Sequence, residues 1–175
     1  AFAIVREREQ GTLEQLIVTP IKSWELMLGK ILPFVIVAFI NVIMTVAVGA
    51  VWFGVKVVGS YALLAGLSLI FLLGSLGLGV FISNISKTQM QAMYMASFIM
   101  IPAFILAGLL FPRENMPGLA YYAGYLLPVT YFLEIVRGII LKGADFVILW
   151  KWIWPMALFS IVVFFASVLM FHKRL

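Results

Sequence analysis

Residues 61–83 read YALLAGLSLIFLLGSLGLGVFIS, twenty-three consecutive positions without an acid, a base or a histidine. At ~1.5 Å of rise per residue, a helix of that length crosses the ~30 Å hydrocarbon layer of a bilayer. Backbone groups in that layer find no water, so each must bond within its own segment, which a helix achieves and an isolated strand does not. The stretch predicts a membrane-spanning helix. Three more of the same kind occupy 31–55, 92–111 and 152–171. Over the whole chain, 65% of the residues are hydrophobic and 11% charged, and the mean hydropathy is +1.16. A soluble domain of this size cannot hide that much apolar surface. The expected fold is all-α, a polytopic transmembrane helical bundle with four full spans. The net charge of +5 needs no nucleic acid, because Lys and Arg commonly flank spans on the cytoplasmic side. There is no cysteine, hence no disulfide framework.

Small residues recur within the spans at helical spacing, in Ser75-x-x-x-Gly79, Ala92-x-x-x-Ala96 and Ala103-x-x-x-Ala107. Such pairs let helices approach closely. Pro33, Pro102 and Pro155 are expected at turns into the membrane or at kinks.

Eight of the nineteen charged residues gather before the first span. Arg6, Glu7, Arg8, Glu9, Glu14, Lys22, Glu25 and Lys30 fall within thirty residues. The apolar stub AFAIV ahead of them reads as the last turn of a preceding transmembrane helix, which makes this chain the C-terminal part of something longer. After Gly11, Thr12-Leu-Glu-Gln15 fits a capping box, with the Thr12 hydroxyl on the amide three residues on and Gln15 reaching back. Leu13, Leu16 and Ile17 then share one face of a short helix. Pro20 disfavours helix at Thr19 and ends it. Ser23 can cap the next helix, which runs through Gly29 and Lys30 into the membrane. Physics alone leaves two readings open, a helix lying in the lipid headgroups or a surface for a soluble partner.

Residues 112–145 form the second polar island. PRENMPG (112–118) is a turn, and the following stretch to Lys142 is apolar enough for a fifth span, with Pro128 near its middle. Glu134 and Arg137 lie three residues apart on one face, and a charge at the bilayer centre costs ~2.5–3.5 kcal/mol. A re-entrant helical hairpin broken at or near Pro128, with its charges facing protein or water, is the preferred reading over a full span. Tyr121, Tyr122, Tyr125, Tyr131 and Phe132 suit an interfacial position. With four spans, seven Lys and Arg (6, 8, 22, 30, 87, 173, 174) fall on one side and five (56, 113, 137, 142, 151) on the other. That balance places residues 1–30 and the C-terminus in the cytoplasm.

No span interior contains Asp, Glu, Lys, Arg or His; the buried polar groups are residues such as Asn41, Thr45 and scattered serines. Ion-coupled carriers need a charge-carrying group at membrane depth, which counts against a secondary carrier. The sequence has no HExxH and no GxxxxGK[ST] phosphate loop, so neither metalloprotease chemistry nor P-loop ATP hydrolysis is expected of it. Met90, Met93, Met95 and Met100 read as packing rather than a soft-metal path, and His172 as a headgroup-facing residue. No metal or catalytic residue is assigned.

Two motifs now align with a known family. RERE-x-GTLEQLIVTP (6–20), with Trp24-Glu25-Leu26 and Gly29-Lys30 after it, resembles the cytoplasmic coupling segment of type-2 ATP-binding-cassette export permeases. LLPVTYFLEIVRGIILKG (126–143) resembles the signature before their last span. The chain is similar to the C-terminal two-thirds or so of such a multidrug- or antibiotic-exporter-like subunit. The resemblance implies that Glu7, Glu9, Gly11, Thr12, Leu13, Glu14, Leu16, Thr19 and Pro20 face an ABC ATPase subunit. It implies that Pro128, Glu134, Arg137 and Gly138 shape a re-entrant hairpin near the outer gate. It further implies a second permease half, as a homo- or heterodimer, and ATP and Mg held by the ATPase rather than by this chain. The setting would be a bacterial plasma (inner) membrane.

The expected organisation is therefore a coupling region at 1–30, three spans over 31–111, a turn and hairpin over 112–145, and the last span with a cytoplasmic tail over 146–175. The expected function is that of a permease subunit, not an enzyme, moving a hydrophobic or amphipathic small molecule. Polysaccharide or ion export within the same family, and a non-transporting scaffold that recruits a soluble partner, are the competing readings.

Overall fold

The computed structural model describes residues 23–172, and every regular element in them is helical. Helix α1 covers Ser23–Trp52, α2 Tyr61–Ile85, α3 Gln89–Leu106, α4 Gly118–Gly124, α5 Pro128–Lys142 and α6 Phe146–His172, with a single 3-10 turn at Arg113–Asn115. Four of them are long and apolar enough to cross a membrane: Ile31–Trp52 within α1, then α2, α3 and Phe146–Met170 within α6. The short helices α4 and α5 meet at a bend of 83°. The capping box at residues 12–15 and the rest of the 6–20 segment lie outside the described residues.

The ends of the helices explain where the apolar runs stop being helix. Helix α1 closes at Trp52, ahead of the apolar limit at 55, because Val55 N–H bonds back to Gly49 O at 3.0 Å across Gly54, whose φ is +64°. This closure, which reaches six residues back, is favoured by glycine in the left-handed region. Helix α5 ends the same way, with Gly143 at φ +59° and Ala144 N–H on Gly138 O at 3.0 Å. The starts of α2 and α3 are held by hydroxyl caps. Ser60 accepts from Leu63 N–H at 3.3 Å, and Thr88 from Gln91 N–H at 3.2 Å. Pro33, Pro102 and Pro155 all sit inside continuous helices.

Helix α2 is the central staff, packing along α6 more extensively than any other pair. The contact is made close by small residues. A Cβ on Gly74 would stand 2.8 Å from Ser160 Cβ and 3.0 Å from its Cα, and one on Gly77 would touch the Phe164 backbone at 3.4 Å. The close approach thus runs through Gly74 and Gly77, one register away from the Ser75/Gly79 pair expected. Polar bonds lock it: Ser167 Oγ donates to Gly77 O at 2.7 Å and Asn84 Nδ2 to Ser167 O at 3.0 Å. Interhelical bonds of this type contribute ~0.6 kcal/mol each on average. The main apolar core joins Leu64 and Leu67 of α2, Ile135 and Ile139 of α5, and Ala144, Leu149, Ile153 and Met156 at the start of α6. Phe132, expected at the interface, instead stacks on Phe71 with ring centres 4.1 Å apart, because it lies on the α2-facing side of α5.

Overpacking a close helix crossing costs ~1–3 kcal/mol. Gly74→Val should therefore lower the midpoint of thermal unfolding in detergent, whereas Gly66→Val, whose Cβ meets nothing within 4 Å, should leave it nearly unchanged. Equal midpoints for the two variants would refute the close α2–α6 crossing.

Candidate functional site

The bent pair α4–α5 carries Tyr121, Tyr122, Thr130, Tyr131, Glu134 and Arg137. Its corner is built by side chains that answer carbonyls left open where α4 stops. Leu127 N–H bonds to Gly124 O at 3.2 Å, and Thr130 Oγ1 donates to the same oxygen at 2.6 Å. Tyr131 Oη donates to Tyr125 O at 2.6 Å. Pro128 occupies the first turn of α5, where its missing N–H costs nothing and its fixed φ suits the helix. The expected break at Pro128 is therefore where the chain bends. Gly124 is needed for clearance, since a Cβ there would lie 2.7 Å from Leu106 O at the end of α3.

Two arginines tie this corner to the end of α3. Arg137 Nη2 donates to Gly108 O at 2.9 Å, and Arg137 Nη1 lies 3.8 Å from Glu134 Oε1. The pair is partly open, with Arg137 45% and Glu134 33% exposed, so its ionic share is small. Gly108 can present its carbonyl in this way because its φ is +86°, which also ends α3 before the apolar run does. Arg113, in the turn at 112–118, is 9% exposed. Its guanidinium carbon sits 4.3 Å from the Tyr125 ring centre and 4.7 Å from that of Tyr121. Its Nη2 donates to Tyr121 O at 3.0 Å. A cation over two aromatic faces gains most when it is desolvated.

The four hairpin residues expected near the outer gate are thus divided. Pro128 marks the corner, and Glu134 and Arg137 form a pair that reaches the end of α3. Gly138 lies on the buried face of α5, where a Cβ would meet Leu149 Cδ2 at 2.7 Å, so its geometry is that of a helix-packing position. Arg113 was not among the expected residues. The signal for it was Tyr121 and Tyr125, four residues apart and hence on one face of α4, just downstream of an arginine-bearing turn. Tyr121, Tyr125 and Tyr131 cluster with Trp152, whose ring stacks on Tyr125 at 6.3 Å.

At its far end α5 is capped from another element. Gly59 N–H bonds to Ile139 O at 3.0 Å and Val58 N–H to Ile140 O at 3.2 Å. A Cβ on Gly59 would lie 2.7 Å from Ile139 O, so the close approach of this loop needs glycine. The loop between α1 and α2 is in this way bonded to the bent pair. Beside the corner, a cavity of about 460 Å³ opens between α2, α3 and Leu126–Val129. Among the described residues no group of acids and histidines could hold a metal ion.

Because Arg113 holds the turn and α4 together, Arg113→Leu should speed hydrogen exchange of the amides at 118–131 by about tenfold, the equivalent of ~1.4 kcal/mol. Glu134→Gln leaves the Arg137–Gly108 bond in place and should change exchange less than twofold. Equal, small effects of both would remove Arg113 as the pin of the corner.

Comparison with known proteins is consistent with this architecture. The family model for the ABC-2 type transporter matches residues 1–141. The probable multidrug ABC transporter permease YbhR of Escherichia coli (strain K12) is 34% identical over 174 residues, covering 99% of this chain and 47% of the relative. The inner membrane transport permease YhhJ of the same organism is 30% identical over 178 residues, 99% of this chain and 46% of the relative. ABC transporter G family member 20 of Dictyostelium discoideum is 22% identical over 176 residues, 99% of this chain and 24% of the relative. The chain thus spans about half the length of the bacterial relatives it matches, less than the two-thirds expected from its motifs. No solved structure matches. With four helices fit to cross a membrane and a family match over most of its length, this integral membrane chain belongs to the ABC-2 type transporter family.

Proposed function

We propose that the chain is part of the permease subunit of an ATP-driven exporter and forms a share of its membrane path. A separate or fused ABC ATPase, which holds the ATP and Mg, docks on residues 6–20. A second permease half, identical or different, completes the path. The cargo is a hydrophobic or amphipathic small molecule, in keeping with four spans whose one charged side chain is Lys151, near the start of α6, and with relatives named as multidrug permeases. The membrane is a bacterial inner membrane, as in the name of YhhJ, with residues 1–30 and the C-terminus on the cytoplasmic side. The bent pair then lies toward the outer side, where its hydrogen-bonded corner borders the path.

The observation that carries the reading is the connection made by α1. This thirty-residue helix is about 45 Å long at ~1.5 Å per residue. It begins next to the proposed docking segment and ends in the loop whose amides cap α5. A push on residues 6–20 reaches the bent pair through one rigid rod and two backbone hydrogen bonds.

The chain has no native cysteine, so a single cysteine can report on docking. Placed at Glu14 in the full-length subunit and cross-linked in native membranes, it should capture a P-loop ATPase identified by mass spectrometry. The same cysteine moved to Asn115, in the turn before α4, should capture none. Adducts with lipid probes alone at Glu14 would return the segment to a headgroup-bound helix and favour the scaffold reading.

A further inference from the structure

A second cavity, of about 320 Å³, opens between α1, α2 and α5, on the opposite side of Phe132 from the corner cavity. Its size lies within the ~300–1,000 Å³ usual for small-molecule pockets. Valine, leucine, isoleucine and phenylalanine make most of its wall, and no charged side chain lines it. Three hydrogen-bonding residues do: Asn41 and Thr45 from α1, and Ser68 from α2.

Ser68 is the unusual member. Ser86 and Ser160 turn the hydroxyl back onto the carbonyl four residues earlier, at 2.7 and 2.9 Å, the common way for a helical serine to satisfy itself in an apolar setting; Ser68 and Ser83 do not, and of these two only Ser68 lines the cavity. Ser68 is fully buried, and its Oγ has no hydrogen-bond partner. A buried hydroxyl without a partner is unfavourable, and this one is at the wall of an open cavity. Across from it, Thr45 Oγ1 donates to Asn41 O at 2.8 Å, so the Thr45 oxygen can still accept. Asn41, Thr45 and Gly49 are spaced four residues apart and form one line along α1, about 12 Å long at ~1.5 Å per residue.

We infer that this crevice is a binding site for an uncharged amphiphile with an alkyl or aromatic body and a hydroxyl-like end. The body fills the wall formed by Phe132 and Val136, and the polar end accepts from Ser68 and donates toward Thr45 or Asn41. A charged head is disfavoured, since nothing in the lining would neutralise it. An acyl chain alone would fill the volume and leave Ser68 unpaired. The site is separate from the docking segment and from the arginine-tied corner, and it concerns binding rather than flux.

The test uses membranes containing the full-length subunit and two photoreactive diazirine probes of equal length, a long-chain alcohol and the matching alkane. The alcohol should label peptides spanning 41–49 and 64–68 saturably, at least tenfold above the alkane, and unlabelled dodecanol should compete. Gly49→Leu should lower that labelling at least tenfold by plugging the cavity. It should still fold, because a Cβ at Gly49 meets nothing within 4 Å and leucine is a better helix former than glycine. Gly66→Leu, equally unhindered but outside the lining, should label like the native protein. Equal labelling by alcohol and alkane would show an ordinary lipid groove and overturn the inference, as would full labelling of Gly49→Leu. Labelling needs no ATP, so this result and the ATPase cross-link fail independently.

Discussion

A helix that ends among apolar segments leaves carbonyl oxygens that neither lipid nor the helix itself can satisfy. In this chain those oxygens are answered by specific side chains and amides, and the rest of the architecture follows from how. Gly124 O is taken by Leu127 and Thr130, Tyr125 O by Tyr131, Tyr121 O by Arg113 and Gly108 O by Arg137. Ile139 O and Ile140 O are taken by Gly59 and Val58. The corner is thus closed by bonds within the pair, and Arg113, Val58 and Gly59 bond it to the neighbouring segments, so the pair can turn by 83° within a bundle built for lipid. The two arginines each do this through one Nη2 donor, a charge-assisted bond stronger than a neutral one.

Packing is organised around the same need. Helix α2 lies against α6 through glycine and serine, and against α5 through leucine, isoleucine and the Phe71–Phe132 stack. Helices α1 and α3 are different: each buries only 6% of its spanning window within the chain. Association between helices in lipid gains nothing from excluding water, so close packing and polar bonds decide which pairs form. Helix α2 has both with α6, whereas α1 packs through Ile31 and Val35 near its start and Val46 farther along.

Much of this was legible in the sequence. Long uncharged runs in a bilayer are satisfied as helices, and a break at or near Pro128 was expected from the cost of Glu134 and Arg137 at membrane depth together with a proline near the middle of the stretch. What was not legible depended on backbone geometry or on distant partners. The ends of α1 and α3 came earlier than the apolar runs because Gly54 and Gly108 take positive φ, which hydropathy does not register. The close α2–α6 crossing used Gly74 and Gly77 rather than Ser75 and Gly79, because small-residue spacing marks a capable face without saying which face meets a partner. The place of Arg113 depended on Tyr121 and Tyr125 closing around it, and that of Gly138 on Leu149 lying against it. The docking role of residues 6–20 rests on the motif itself, since those residues lie outside the described part of the chain.

The central claim is that α1 moves the bent pair through the amides of Val58 and Gly59. Double electron–electron resonance between spin labels at Trp52 and Leu141, both well exposed, in the full-length transporter addresses it directly. The distance should stay the same between the nucleotide-free and ATP-trapped states, while the distance from Leu141 to a label at Phe98 on α3 changes. A Trp52–Leu141 distance that changes as much as the second would contradict the account, because the tip of α1 and the end of α5 would then move apart rather than together.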